Sequence, residues 1–134
     1  MKLLLIEPPE QVPPRPLLYP TVIPRGLLIT AAVLRERGAS VKVFDLRSLN
    51  VAPESVAERW EGQSPDAAGV SVHGVPSLKP ARECIQVCHR VWLTARMVVG
   101  GFLAKAAGQF IRQYIPKFVD ICGADSDVAS AQCW

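Results

Sequence analysis

The segment Lys2-Leu3-Leu4-Leu5-Ile6 is an almost uninterrupted apolar run near the start of the chain. A run without polar alternation is typical of a strand buried on both faces, as in a parallel sheet covered by helices. Amphipathic helical stretches alternate with four further short apolar runs: Val41–Phe44, Ala67–Val72, Arg96–Val99 and Phe118–Cys122. This alternation predicts an α/β domain with a five-stranded parallel sheet and helices on both faces.

The composition is that of one ordinary globular domain. Its 134 residues are 49% apolar and 20% charged, which excludes a disordered chain. The net charge of +3 is too small, and the basic residues too scattered, to indicate nucleic acid. No apolar run approaches the roughly 20 residues that a membrane span requires, and Glu7-Pro8-Pro9 ends the first run too early for a signal peptide. We therefore expect a cytoplasmic domain that binds neither nucleic acid nor membrane.

The helical stretches are less regular than the strands. We predict helices over residues 25–37 and 53–61, a third after Ser77, and a fourth from the apolar stripe of residues 103–114. Gly123 and the acidic residues after it indicate the start of a last, incomplete helix. Residues 7–24 hold seven of the twelve prolines and are expected to form a non-helical loop. That loop is either a lid that contacts a cofactor or a plain surface excursion.

The four cysteines are expected to be free thiols rather than a disulfide framework, as in other intracellular α/β domains: Cys84, Cys88, Cys122 and Cys133. Cys84 and Cys88 have the first spacing of a Cys-x-x-x-Cys-x-x-Cys cluster motif, but its third position is Val91. Buried structural thiols on one helix face are the better interpretation. No carboxylate pair and no nucleophile beside a base stands out, so we predict no catalytic and no metal-binding residues.

Small residues end two neighbouring apolar runs, where a parallel sheet binds its ligand. Ser71 ends the third run, Gly100-Gly101 ends the fourth, and His73 follows at the same edge. His73 is either a hydrogen-bonded loop residue or a metal ligand. The sequence does not indicate dinucleotide binding, because no G-x-G-x-x-G motif and no phosphate-binding loop follows the first strand. A receiver domain would need an aspartate where Ser71-Val72-His73 stands.

Taken in order, several motifs resemble one family. They are Lys-Leu-Leu-Leu-Ile-Glu-Pro-Pro at 2–9, Ala-Ala-Val-Leu-Arg-Glu-Arg-Gly at 31–38, Val-Lys-Val-Phe-Asp-Leu at 41–46, Ser-Pro-Asp-Ala-Ala-Gly-Val-Ser at 64–71 and Val-Val-Gly-Gly at 98–101. The chain resembles the N-terminal cobalamin-binding domain of cobalamin-dependent radical SAM enzymes. The resemblance implies a flavodoxin-like, Rossmann-type fold with strand order 2-1-3-4-5.

The same resemblance implies a set of cofactor-binding residues. The family has a Ser-x-Leu element, a spacer and Gly-Gly; here Ser71-Val72-His73 precedes Gly100-Gly101 by 26 residues. The serine hydroxyl would bond the dimethylbenzimidazole tail, and the glycines would let that tail lie against backbone. His73 replaces the family leucine, and Gly123 stands where a further glycine motif is common. We therefore expect cobalamin at Ser71, His73, Gly100, Gly101 and Gly123.

Two departures from the wider family bear on function. Residues 7–24 contain no histidine, so the Asp-x-His-x-x-Gly motif that supplies a lower cobalt ligand in some relatives is missing. The three-cysteine motif of the radical SAM barrel is also missing, and we expect residues 1–134 to be a cobalamin-binding domain without that barrel. It would act with a radical SAM catalytic domain, in cis or in trans, that carries S-adenosylmethionine and a four-iron four-sulfur cluster, most typically in a methyltransferase. The alternative is a non-catalytic flavodoxin-like interaction domain that has lost the cofactor.

Overall fold

The computed structural model describes residues 1–9, 23–60, 62, 64–124, 129 and 131–134. Five strands form one parallel sheet in the order 2-1-3-4-5, which confirms the predicted fold. The strands are β1 (Lys2–Glu7), β2 (Ser40–Asp45), β3 (Ala67–Ser71), β4 (Arg96–Gly100) and β5 (Asp120–Ile121). The fifth strand is shorter than predicted, because pairing with β4 joins only Val98 to Asp120 and Val99 to Ile121.

Helices connect the strands on both faces of the sheet. They are α1 (Arg25–Glu36), α2 (Leu46–Leu49), α3 (Ser55–Arg59), α4 (Leu78–Val91) and α5 (Phe102–Ile111), the last kinked at Ala107. The helix expected over residues 53–61 is reduced to α3, and α2 was not predicted. The proposed start of a last helix beyond Gly123 and most of the proline-rich loop lie outside the described residues.

Alternating side chains of the strands pack into two separate hydrophobic cores, one on each face of the sheet. Leu4 and Ile6 of β1 pack against α4 and its neighbours, whereas Leu3 and Leu5 pack against α1. This alternation is the ordinary period of a strand, and it explains why the first run has no polar position. The α1 core is the smaller of the two, and Ala131 and Trp134 complete it on the side of β3.

One expectation about the cysteines was wrong. Cys122, after β5, and Cys133 form a disulfide, with their Cα atoms 6.0 Å apart. The reason is tertiary: the 3₁₀ turn Ala131–Cys133 packs beside α1 and returns the chain to the end of the sheet. Cys84 and Cys88 are free and buried, as predicted. Across the described ranges, no helix combines the length and apolar character needed to cross a membrane.

Candidate functional site

A cavity of about 450 Å³ opens on the α1 face of the sheet at the carboxyl ends of the strands. Four of the residues predicted from the sequence line it together: Ser71, His73, Gly100 and Gly101. They meet because β3 and β4 are neighbours in the parallel sheet, with Ser71 directly opposite Gly100. The volume lies in the range usual for small-molecule and cofactor sites.

Three residues on the floor of this cavity have a small side chain or none. Gly69 and Ser71 of β3 share one face of the sheet because they are two residues apart, and Gly100 lies beside them on β4. Leu5 and Val98 border this floor, and Gly26, Leu27 and Thr30 of α1 form a wall. A strand with glycine or serine at successive inward positions allows another group to approach the backbone closely.

Gly101 has a conformational reason to be glycine. Its φ is +99° and its ψ is −178°, a combination that side chains essentially exclude. A Cβ atom there would also lie 2.8 Å from the carbonyl oxygen of Val72. The turn wraps around Val72, whose N–H donates to the Gly100 carbonyl and whose carbonyl accepts from the N–H of Leu103. Gly101 therefore shapes the mouth of the cavity through the backbone.

The indole of Trp134 lies directly on Gly69. A Cβ atom at Gly69 would be 2.1 Å from the indole Cη2 and 2.5 Å from Cζ2, so only glycine accommodates the ring. Trp134 also lines the cavity that holds Ser71 and Gly100. Neighbouring bonds hold its segment in place: Arg96 donates to the Cys133 carbonyl, and Arg37 donates to the Ala131 carbonyl.

A hydrogen-bonded group of three side chains stands at the edge of the same cavity. His73 Nε2 lies 2.9 Å from Ser71 Oγ and 3.0 Å from Glu7 Oε2. Glu7, the last residue of β1, is only 3% exposed, whereas the His73 side chain is 48% exposed. The interpretation of His73 as a hydrogen-bonded residue is therefore the one that the contacts support.

The mouth of the cavity carries an aromatic and a basic side chain from the first turn of α5. Phe102 and Lys105 both line it, and Phe102 is 68% exposed. Gly123 lies between the lining residues Cys122 and Ala124, and a Cβ there would approach the Ala104 carbonyl oxygen to 3.8 Å. The glycine therefore faces α5, and a cofactor-binding role for it stays a prediction.

The free thiols have the chemistry of core residues. Burial raises the pKa of the Cys84 thiol well above its ordinary value and that of Cys88 to about 12. Neutral thiols are poor metal ligands and poor nucleophiles. Within the part of the chain that the structure describes, no three His, Cys, Asp or Glu side chains are grouped so as to hold a metal ion.

Comparison with known proteins now identifies the family. The B12 binding domain family matches residues 18–132. This chain belongs to the B12-binding domain family. The match confirms the resemblance that the sequence motifs indicate, including the flavodoxin-like fold. No curated protein matches the sequence significantly.

Solved structures share the fold of this B12-binding domain. One is TsrM, a radical S-adenosylmethionine methyltransferase from Kitasatospora setae, with cobalamin and a 4Fe-4S cluster bound. Its sequence is 22% identical to this chain, and the match has a TM-score of 0.66 and covers 84% of this chain and 22% of TsrM. A second TsrM structure, with tryptophan substrate and the SAM analogue aza-SAM, is also 22% identical and gives a TM-score of 0.67 over 84% of this chain and 21% of that one. The chain thus spans about a fifth of the length of the TsrM chains.

Sequence reasoning missed three residues of the site: Glu7, Gly69 and Trp134. Gly69 had a usable signal, since Ala67, Gly69 and Ser71 are small residues at every second position of one strand. Glu7 had a weaker one, as a carboxylate directly at the end of a buried strand. Nothing in the local sequence connects Trp134 to Gly69.

Proposed function

We propose that this B12-binding domain holds cobalamin with its nucleotide tail in the α1-side cavity and its corrin over the carboxyl edge of the sheet. The observation that carries the proposal is the floor formed by Gly69, Ser71 and Gly100. An aromatic base needs a flat apolar slot with few convergent polar groups, and this floor offers backbone, one hydroxyl and the side chains of Leu5 and Val98. These residues fit the nucleotide tail when the Trp134 indole, which covers Gly69, moves aside.

We further propose that the domain serves a radical SAM enzyme of the methyltransferase type. The support is the fold shared with TsrM, which is described as a cobalamin-bound radical S-adenosylmethionine methyltransferase. When bound, the corrin's cobalt would carry an alkyl group between donor and acceptor. The residues of this chain would bind and orient the cofactor, and a radical SAM domain, in cis or in trans, would bring S-adenosylmethionine and the iron–sulfur cluster.

A spectrophotometric titration of the 134-residue chain with hydroxocobalamin tests the binding proposal. We expect saturable binding, and weaker binding of cobinamide, which has the corrin but lacks the nucleotide tail. The preference should be at least about tenfold, because the proposed site would bind the tail as well as the corrin. Equal affinity for the two corrins would contradict a tail-binding cavity. Binding of neither would favour an interaction domain that has lost the cofactor.

Trp134 should compete with the nucleotide tail. Its indole covers Gly69 in the same cavity as Ser71 and Gly100, so the tail can enter fully only when the ring moves aside. The apparent affinity is proportional to the fraction of molecules in which the ring has moved out of the cavity. Trp134→Ala should therefore raise the affinity for hydroxocobalamin by about tenfold. The affinity for cobinamide should not change.

Trp60→Ala is the control for the Trp134 variant. Trp60 packs edge-on against Trp92 in the α4-side core, away from the cavity. We expect its removal to leave the ratio of the two corrin affinities unchanged. A loss of cobalamin affinity in Trp134→Ala would show instead that the indole is a supporting wall of the tail site.

We also propose that the domain functions in the cytoplasm. The support is the first apolar segment, which forms the interior strand β1, buried from residue 3 to residue 7. The Cys122–Cys133 disulfide is unusual for that compartment, where thiols are normally kept reduced. Alkylation of the protein in intact cells before extraction would show whether this bond exists there.

A further inference from the structure

Residues 131–134 are attached to the end of the sheet by a disulfide. Cys133 is bonded to Cys122, which follows β5, and the two positions are 11 apart in sequence. Arg96 and Arg37 donate hydrogen bonds to carbonyl oxygens of the same segment, at 3.0 and 3.3 Å. Both arginines are exposed, so these bonds compete with water and contribute little. The disulfide is therefore the strongest polar or covalent attachment described for the segment.

The disulfide also limits the position of the indole. Trp134 directly follows Cys133, and its ring lies on Gly69, where a Cβ atom would be 2.1 Å from Cη2. Cys122, at the other end of the bond, lines the same cavity as Trp134. The apolar anchor of the segment, Ala131, adds one methyl group to the α1 core. While the bond is intact, the backbone that carries the indole stays beside the cavity.

We propose that the Cys122–Cys133 disulfide is a redox-controlled latch on the cavity. With the bond formed, Trp134 stays over Gly69 and hinders entry of the nucleotide tail. With the bond reduced, the segment is released and the tail site opens. The inference rests on the proposed function, because the ligand it regulates is the cobalamin of that site. A reducing cytoplasm would keep the latch open, and oxidation would close it.

Reduction of the latch is a thiol–disulfide exchange with a dithiol. One thiolate of the dithiol attacks Sγ of Cys133, because Cys133 is partly exposed whereas Cys122 is buried. The protein S–S bond breaks, Cys122 leaves as a thiolate and takes up a proton, and a mixed disulfide remains at Cys133. The second thiolate of the dithiol attacks the dithiol's own sulfur in that mixed disulfide, and Cys133 leaves and is protonated. Two electrons and two protons thus pass from the dithiol, which becomes a cyclic disulfide, to the protein.

The two free thiols stay outside this exchange. Cys84 and Cys88 are buried in the α4-side core, where a soluble dithiol or oxidant does not reach them. Trp134 packs with the α1 core on the other face of the sheet. The latch therefore has a bonded and a reduced state without a competing pairing from these thiols.

The test measures the affinity for cyanocobalamin of oxidised and reduced wild type, Cys133→Ser and Trp134→Ala. Cyanide on the cobalt keeps the released thiols from binding it, and dithiothreitol is removed under argon before the titration. Reduction should raise the affinity of wild type by about fivefold, because the cavity is open in more molecules. Cys133→Ser should have the higher affinity with or without the dithiol treatment, which controls for its other effects. Trp134→Ala should bind equally tightly after either treatment, because the ring that the latch holds is gone.

Three results would overturn the latch. The first is a wild-type affinity that does not change upon reduction. The second is a redox response of Trp134→Ala as large as that of wild type, since the disulfide would then act without the indole. The third is an equal response of cobinamide, which lacks the tail and whose affinity should be the same in both redox states.

Fluorine-19 NMR of protein labelled with 5-fluorotryptophan tests the latch without a ligand. The chain has three tryptophans, and a Trp134→Phe variant assigns the signal of Trp134. Upon reduction we expect this signal to gain the solvent isotope shift of an exposed indole, while those of Trp60 and Trp92 stay unchanged. A Trp134 signal unaltered by reduction would contradict the release of the segment. If wild type bound no corrin in either redox state, the proposed function would fail, while this measurement would still decide the latch.

Discussion

Replacing Gly100 by tryptophan should abolish cobalamin binding while leaving the domain folded. A Cβ atom at Gly100 has room, since its nearest neighbour is the Cβ of Cys122 at 4.0 Å. The side chain would project into the cavity opposite Ser71, where the nucleotide tail is proposed to lie. Because the indole takes the space of the base, we expect a loss in hydroxocobalamin affinity on the order of 100-fold.

Leu93→Trp is the matched control for the Gly100 variant. Leu93 is 75% exposed in the turn between α4 and β4, at the opposite edge of the sheet from the cavity. It adds an indole of the same size to the surface and should leave the affinity for hydroxocobalamin unchanged. Unaltered binding by a folded Gly100→Trp protein would place the cofactor elsewhere and refute the proposed site.

Substitution of the adjacent glycine, Gly101, should instead lower the stability of the domain. Gly101→Ala puts a side chain on a residue with φ of +99°, and its Cβ would overlap the carbonyl oxygen of Val72 at 2.8 Å. The conformation alone costs of order 1–3 kcal/mol for a residue other than glycine, and the contact is with backbone that cannot rotate away. We expect the free energy of unfolding to fall by about 3 kcal/mol, measured by urea denaturation.

Gly100→Ala is the natural comparison for this measurement. Gly100 ends β4, and a methyl group added there would make only an ordinary van der Waals contact with the Cβ of Cys122. We expect a change in stability of less than about 1 kcal/mol for it. Equal destabilisation by the two alanine variants would show that the Gly101 turn is not strained as described. The two glycines of one motif thus have separate physical roles.

Much of the site could be predicted because it depends on local pattern and on simple topology. Apolar runs and helical stripes predicted the parallel sheet, and a parallel sheet brings the ends of β3 and β4 together. The sequence therefore predicts one edge of the sheet for four residues that line one cavity in the structure: Ser71, His73, Gly100 and Gly101. The expectation for Gly123 came from the family resemblance alone, and a Cβ atom there would face the Ala104 carbonyl oxygen of α5.

The contacts that could not be predicted join residues far apart in sequence. Glu7 and His73 are 66 positions apart, and their hydrogen bond depends on β1 and β3 being neighbours with their ends aligned. The Cys122–Cys133 bond depends on a turn that returns beside α1. In each case the local sequence shows a polar or reactive side chain without showing its partner.

By itself, the sequence determined the α/β architecture and the location of the binding edge, because strand and helix periods and small residues at strand ends are properties of neighbouring positions. Only the tertiary structure decided that the Trp134 indole covers Gly69 and that Glu7 reaches Ser71 through His73. Those contacts arise from the order and register of the strands and from the path of the chain after β5, which bring together side chains that no local pattern links.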